Sequence, residues 1–126
     1  MDKKNIVEIN RTIKWLKEKS ELLSSDFSKQ SSMVEDFARW NLPNDIASDW
    51  DHYEMFCVPI KDVIDERVKN LITEIGNAFD KVSLGAPYFE EIIWTMEGLE
   101  YHPFWENQRK LAKELLLVLN SSIYDE

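Results

Sequence analysis

The stretch IKDVIDERVKNLITEIGNAF, residues 60–79, decides the fold class. Ile60, Ile64, Val68, Leu71, Ile75 and Phe79 recur every three or four residues, while Lys61, Asp62, Asp65, Glu66, Lys69 and Glu74 stay off that line. An apolar line with this period is one face of an α-helix, because 3.6 residues complete a turn. Val63 and Ile72 widen the face, as a central helix contacted from two sides requires. The Val and Ile content suits a strand by propensity, but a strand would alternate with period two, and this stretch does not. The reading is a helix over roughly 60–82. Pro59 starts it, since its missing N–H costs nothing there, and SLGAP with Gly85 and Pro87 ends it.

The flanks repeat the pattern. Ile6, Ile9, Ile13, Leu16 and Leu23, with Ser20 in the vacant position, form one seam of an N-terminal helix. SSDFSKQSS then breaks the period and reads as a loop. Ser32-Met33-Val34-Glu35 fits a capping box opening a helix lined by Met33, Phe37 and Trp40 and closed by Pro43. A short helix is expected from near Ser48 to before Pro59. Another carries Phe89, Ile92, Ile93 and Met96, with Gly98 as its C′ residue. Pro103 starts the last, with Phe104, Leu111, Leu115 and Val118 inward. With no alternating run and no fixed repeat, residues 1–126 read as one all-α domain, a bundle of about six helices.

Composition agrees. Hydrophobic residues make up 44% of the 126, enough for a packed core without disulfides, and one cysteine cannot form an internal one. The first twenty residues lack a continuous apolar h-region, and the longest apolar run, LLLVL at 115–119, is far too short for a bilayer. A cytoplasmic protein with no membrane association is the expectation.

Charge narrows the function. Fifteen Lys and Arg face 24 Asp and Glu, a net of −9. Residues 1–30 hold seven basic against five acidic side chains, but residues 31–60 hold only Arg39 against six acids. Phosphate backbones are repelled by such a surface, so direct nucleic-acid binding is disfavoured, whereas a basic protein is attracted and its encounter accelerated. Acidity that serves solubility alone is the plainer alternative.

PNDIASDWDHYEMFCVP, residues 43–59, packs Asp45, Asp49, Asp51 and Glu54 around His52 and ends near Cys57. A metal site fails on geometry: on a helix Asp49 and Asp51 point about 200° apart, and the remaining pairs offer two ligands each. No metal or other cofactor is expected. Cys57 sits among Met55, Phe56 and Val58, an apolar setting that raises a thiol pKa. No nucleophile–base pair or phosphate loop stands out, so no catalytic residue is assigned and an enzyme is not expected.

What these residues suit is binding. Asp45, Asp49, Asp51 and Glu54 flank Trp50 and Tyr53. In YFEEIIWTMEGLEYHPFWENQ, residues 88–108, Glu90, Glu91, Glu97, Glu100 and Glu106 interleave with Tyr88, Trp94, Tyr101 and Trp105. Rings give contact area at low entropy cost, and carboxylates give steering and register. Phe89, Phe104 and Trp40 are assigned to the core. Trp50, Tyr53, Trp94, Tyr101 and Trp105 stay open between core and interface. The candidate partner-binding set is Asp45, Asp49, Trp50, Asp51, Tyr53, Glu54, Glu97, Glu100, Tyr101, Trp105 and Glu106.

In size, acidity, helical content and lack of a catalytic signature the chain resembles the helical immunity proteins of bacterial contact-dependent-inhibition and bacteriocin systems. EYHPFWE at 100–106 echoes the His-Pro of the DNase-colicin immunity proteins without their DHPSG-like core. The resemblance implies a cytoplasmic inhibitor that binds a cognate toxin, often a basic nuclease, and covers its active site or an adjacent surface. A phage-type acidic nucleic-acid mimic and a helical adaptor subunit are the competing readings. Reversal of Asp49, Asp51 and Glu54 to Lys is expected to slow association with a basic partner and flatten its salt dependence. Unchanged rates in stopped-flow mixing would exclude this stretch as the interface.

Overall fold

The computed structural model describes residues 3–32, 42–51, 57–60 and 62–121. Among them are six α-helices and two short 3₁₀ turns, with no strand. The helices are α1 (Lys3–Ser24), α2 (Phe27–Ser32), α3 (Leu42–Ser48), α4 (Glu66–Lys81), α5 (Met96–Tyr101) and α6 (Pro103–Asn120). The 3₁₀ turns are Val58–Ile60 and Glu91–Trp94. The protein is an all-α bundle.

The apolar line of α4 is buried as its spacing predicts: Val68, Leu71, Ile72, Ile75 and Phe79 all lie in the core. Its start differs. The chain bends instead through the first 3₁₀ turn, in which the amide of Ile60 donates to the Cys57 carbonyl at 3.0 Å. The helix begins only after Asp65, whose extended backbone and carboxylate, accepting from the Arg67 amide at 2.7 Å, form an N-cap. A side chain that offers the backbone this bond stops a helix from running through it. Ile60 and Ile64 still reach the core, which is why the periodicity ran on past the true helix end.

α6 shares the centre with α4. Both α1 and α4 pack along it, and Trp105, Ala112, Leu115 and Leu119 face inward from it, while Phe104 and Leu111 are half-buried against the core. Pro103 opens it as expected, and His102 caps it, Nδ1 accepting from the Phe104 amide at 3.0 Å.

Three boundaries move. SSDFSKQSS is not simply a loop, because α2 forms within it. The Asp26 carboxylate caps it by accepting from the Lys29 amide at 2.8 Å. The buried Gln30 amide donates to the Leu22 and Leu23 carbonyls at 3.1 Å each, satisfying acceptors that the end of α1 leaves open. Pro43 does not close a helix but lies in the first turn of α3, which ends at Ser48, where a helix was expected to begin. Ser32 of the proposed capping box closes α2, its hydroxyl donating to the Lys29 carbonyl at 2.8 Å, while the rest of the box, Phe37, Trp40 and residues 52–56 fall outside the described residues.

Gly98 is not a C′ residue. It sits buried inside α5 with the Ile92 carbonyl against it, so close that a Cβ would lie 1.7 Å from that oxygen. Thr95 locks the approach: its hydroxyl donates to the Ile92 carbonyl at 2.7 Å and accepts from the Gly98 amide at 3.0 Å. Gly98→Ala has to push α5 off the 91–94 turn. It is expected to cost about 1–3 kcal/mol, seen as a melting temperature lower by ~4–12 °C. An unshifted thermal melt would contradict the contact.

Candidate functional site: two acidic clefts

The structure separates the candidate residues into core and surface. Trp50 and Trp105 are 2% and 0% exposed, so neither is a surface anchor. Both belong to the core for a physical reason: beside the acids that suggested an interface, each ring lies on the inward side of its segment. The Trp105 indole N–H donates to the Ile93 carbonyl at 2.7 Å, and its ring meets Phe79, Phe104 and Trp94 at 5.4–6.1 Å between centroids. Buried rings in such contacts stabilise a core by about 0.5–1.5 kcal/mol per pair beyond their area. Tyr101 is 73% exposed, and Asp45, Asp51, Glu97, Glu100 and Glu106 are exposed. Tyr53 and Glu54 lie outside the described residues.

Asp49 is half-buried, with Lys19 of α1 at 3.6 Å. It ties α3's exit to the N-terminal helix and is a poor candidate for an outside partner. Reversing it together with Asp51 would therefore break an internal pair as well as alter the surface. Asp51 alone is the informative position in that stretch.

Four of the exposed candidates, Asp51, Glu100, Tyr101 and Glu106, fall into two clefts. The first, about 350 Å³, lies where α3 packs beside the Glu91–Trp94 turn. Asp51 and Glu91 bring carboxylates to its wall, with Leu84, Phe89 and Trp94 as the apolar lining. The Trp94 indole is held by its N–H donating to the Val82 carbonyl at 2.9 Å. The two acidic stretches, forty residues apart in the chain, thus meet in space.

The second cleft, about 470 Å³, joins α2, the end of α5 and the start of α6, with Asp26, Glu100, Tyr101, Glu106 and Arg109 among its lining residues. Arg109 is the cation of this cleft. Its Nη2 donates to Gln30 Oε1 at 3.1 Å and to the Leu99 carbonyl. Burial pushes its pKa down from the usual guanidinium range, and the charges of Asp26 and Glu106 oppose that shift. These two carboxylates already face a cation of the same chain. Asp45 and Glu97, though exposed, line neither cleft.

Leu84 was missed by sequence reasoning. It is 86% exposed at the tip of the turn after α4, and no periodicity governs a loop residue. Asp26 was missed because its segment read as a loop with no partner. Glu91 and Trp94 stood in the acidic aromatic stretch, but nothing local showed that they would face Asp51.

Burial pushes the Cys57 thiol up to about 11, so it is overwhelmingly the unreactive thiol at neutral pH. His102 caps α6 through Nδ1 and lies 3.4 Å from Glu90 through Nε2. Among the described residues no three His, Cys, Asp or Glu side chains gather closely enough to hold a metal ion, and no helix is long and apolar enough to cross a membrane. No protein-family model, curated protein or solved structure matches the chain.

Asp49 carries a pH signature. Burial raises its pKa above 3.8; Lys19 opposes the shift and Asp45 adds to it. The folded state then holds the proton more tightly than the unfolded chain. This contribution to stability is full below the unfolded pKa of 3.8 and is lost as pH rises through the folded value. Asp49→Asn is expected to flatten the decline in stability just above that pH in thermal melts. A decline as steep as the wild type's would mean Asp49 is not its source.

Proposed function

We propose that the chain is an inhibitor of the immunity-protein type, binding a cognate protein toxin with a basic surface, a nuclease above all, and neutralising it by occupying that surface. The observation that carries this reading is the meeting of the two acidic stretches. α3 packs against both the Glu91–Trp94 turn and α5, so exposed carboxylates from 45–51 and from 91–106 sit on adjoining elements. With the net charge of −9, such a surface accelerates encounter with a basic protein and repels phosphate. Exposed apolar and aromatic side chains on the same elements, Ile92 and Tyr101 among them, supply contact area that charge alone does not.

The mechanism is physical. Arg and Lys that hold a nucleic-acid backbone on a nuclease would pair instead with carboxylates of the inhibitor. The complex then blocks the substrate without a chemical step.

Immunity genes lie directly beside the gene of the toxin they neutralise, which supplies the partner for a test. The C-terminal region of the adjacent large gene's product is expected to arrest growth when expressed alone, and co-expression of this chain to restore it. The purified pair should associate about tenfold more slowly at high than at low salt, as steered encounters do. Growth arrest that this chain does not relieve would overturn the reading. Association with flat salt dependence would favour an adaptor with an apolar interface.

A further inference from the structure

We propose that the cleft between α3 and residues 83–94 is the docking site, and that its occupant is a segment of a basic partner carrying an apolar side chain flanked by Arg or Lys. This rests on the reading of the chain as a binder of a basic protein, and adds which face docks and what it takes.

Three observations single out this cleft over the other. The first is charge that the fold leaves uncompensated. Among the described residues neither Asp51 nor Glu91 has an ion-pair partner, whereas Asp26 and Glu106 of the second cleft face Arg109. A guanidinium arriving at the second cleft would meet Arg109 as well as the acids. At the first, the charged side chains among the described lining residues are the carboxylates of Asp51 and Glu91.

The second is exposed apolar surface. Leu84, 86% exposed, lines the cleft, and Tyr88 and Ile92, 68% and 44% exposed, follow it within nine residues of chain without lining the cleft themselves. Phe89 and Trp94 are half-buried beside them, so the lining continues from the core out to the rim. Rings and aliphatic groups next to unpaired carboxylates suit a mixed apolar and cationic segment better than a purely cationic one.

The third is preorganisation. The turn that presents Leu84 is tied down on both sides. The Ser83 hydroxyl donates to the Phe79 carbonyl at 2.9 Å, the Ala86 amide to Ser83 at 2.9 Å and the Tyr88 amide to Lys81 at 3.1 Å. Gly85, at φ +85°, provides the left-handed step that the turn needs. Across the cleft, α3 is anchored by buried Ile46 and by Trp50. A leucine held out on a fixed turn loses little further freedom when a partner covers it.

The test needs no toxin. The ¹⁵N-labelled chain is titrated with two acetylated, amidated peptides of equal charge, Arg-Leu-Arg-Leu-Arg and Arg-Ser-Arg-Ser-Arg. Saturable amide shifts are expected at 44–51 and 83–94, with the leucine peptide binding about tenfold tighter, the scale of one buried anchor. Leu84→Ala should erase that preference without disturbing the core, since the side chain is 86% exposed. D51K/E91K should abolish binding of both peptides, and E100K/E106K should retain it. Shifts centred on 26–28 and 100–109, equal affinity for the two peptides, shifts spread over every acidic residue, or no saturable shift would each overturn the proposal. Failure of growth protection alone would remove the toxin-neutralising role and leave this map standing.

Discussion

α6 has to satisfy neighbours on several sides at once, and the polar groups of its first half set how it does so. Trp105 donates its indole N–H to the Ile93 carbonyl, Gln108 donates its amide to the Ile75 carbonyl of α4 at 3.1 Å, and Arg109 reaches Gln30 of α2 and the Leu99 carbonyl of α5. Within five residues the helix is tied to three others and to the 91–94 turn. Apolar burial supplies most of the free energy, but it is non-directional, and these bonds choose the register. Three of the acceptors are backbone carbonyls, those of Ile93, Ile75 and Leu99, and the fourth is the side-chain oxygen of Gln30.

The same arrangement distributes charge. Where Arg109 is drawn inward to serve α2 and α5, the acids around it are partly neutralised. Where α3 meets the 91–94 turn, the ties are Trp94 to Val82 and Asp49 to Lys19, and neither answers Asp51 or Glu91. Of these two clefts, one has its charge used internally, and the other, among the described residues, has its charge left for the outside. An acidic composition alone contains no such distinction, because it counts carboxylates and not what faces them.

Particular residues show how far local reasoning reached. The α4 line from Val68 to Phe79 was legible because one helix face against a core imposes its own period. Pro103 at the start of α6 and the inert setting of Cys57 were legible for similarly local reasons. The start of α4 was not, since Ile60 and Ile64 keep the helical spacing while Asp65 breaks the helix between them and Val68. α2 was not, because Gln30 is ordered by carbonyls of α1 and by Arg109, seventy-nine residues away. Trp50 and Trp105 were left open, and burial resolved both to the core.

The sequence by itself determined the helical class, an acidic surface and the two stretches where acids and rings alternate, since period and composition are properties of the chain alone. Only the tertiary structure decided which acids remain uncompensated and which rings stay in water. That depends on what each side chain faces across the fold. Asp51 and Glu91 lining one cleft, and Arg109 sharing the other with Asp26 and Glu106, are meetings in space that no spacing along the chain encodes.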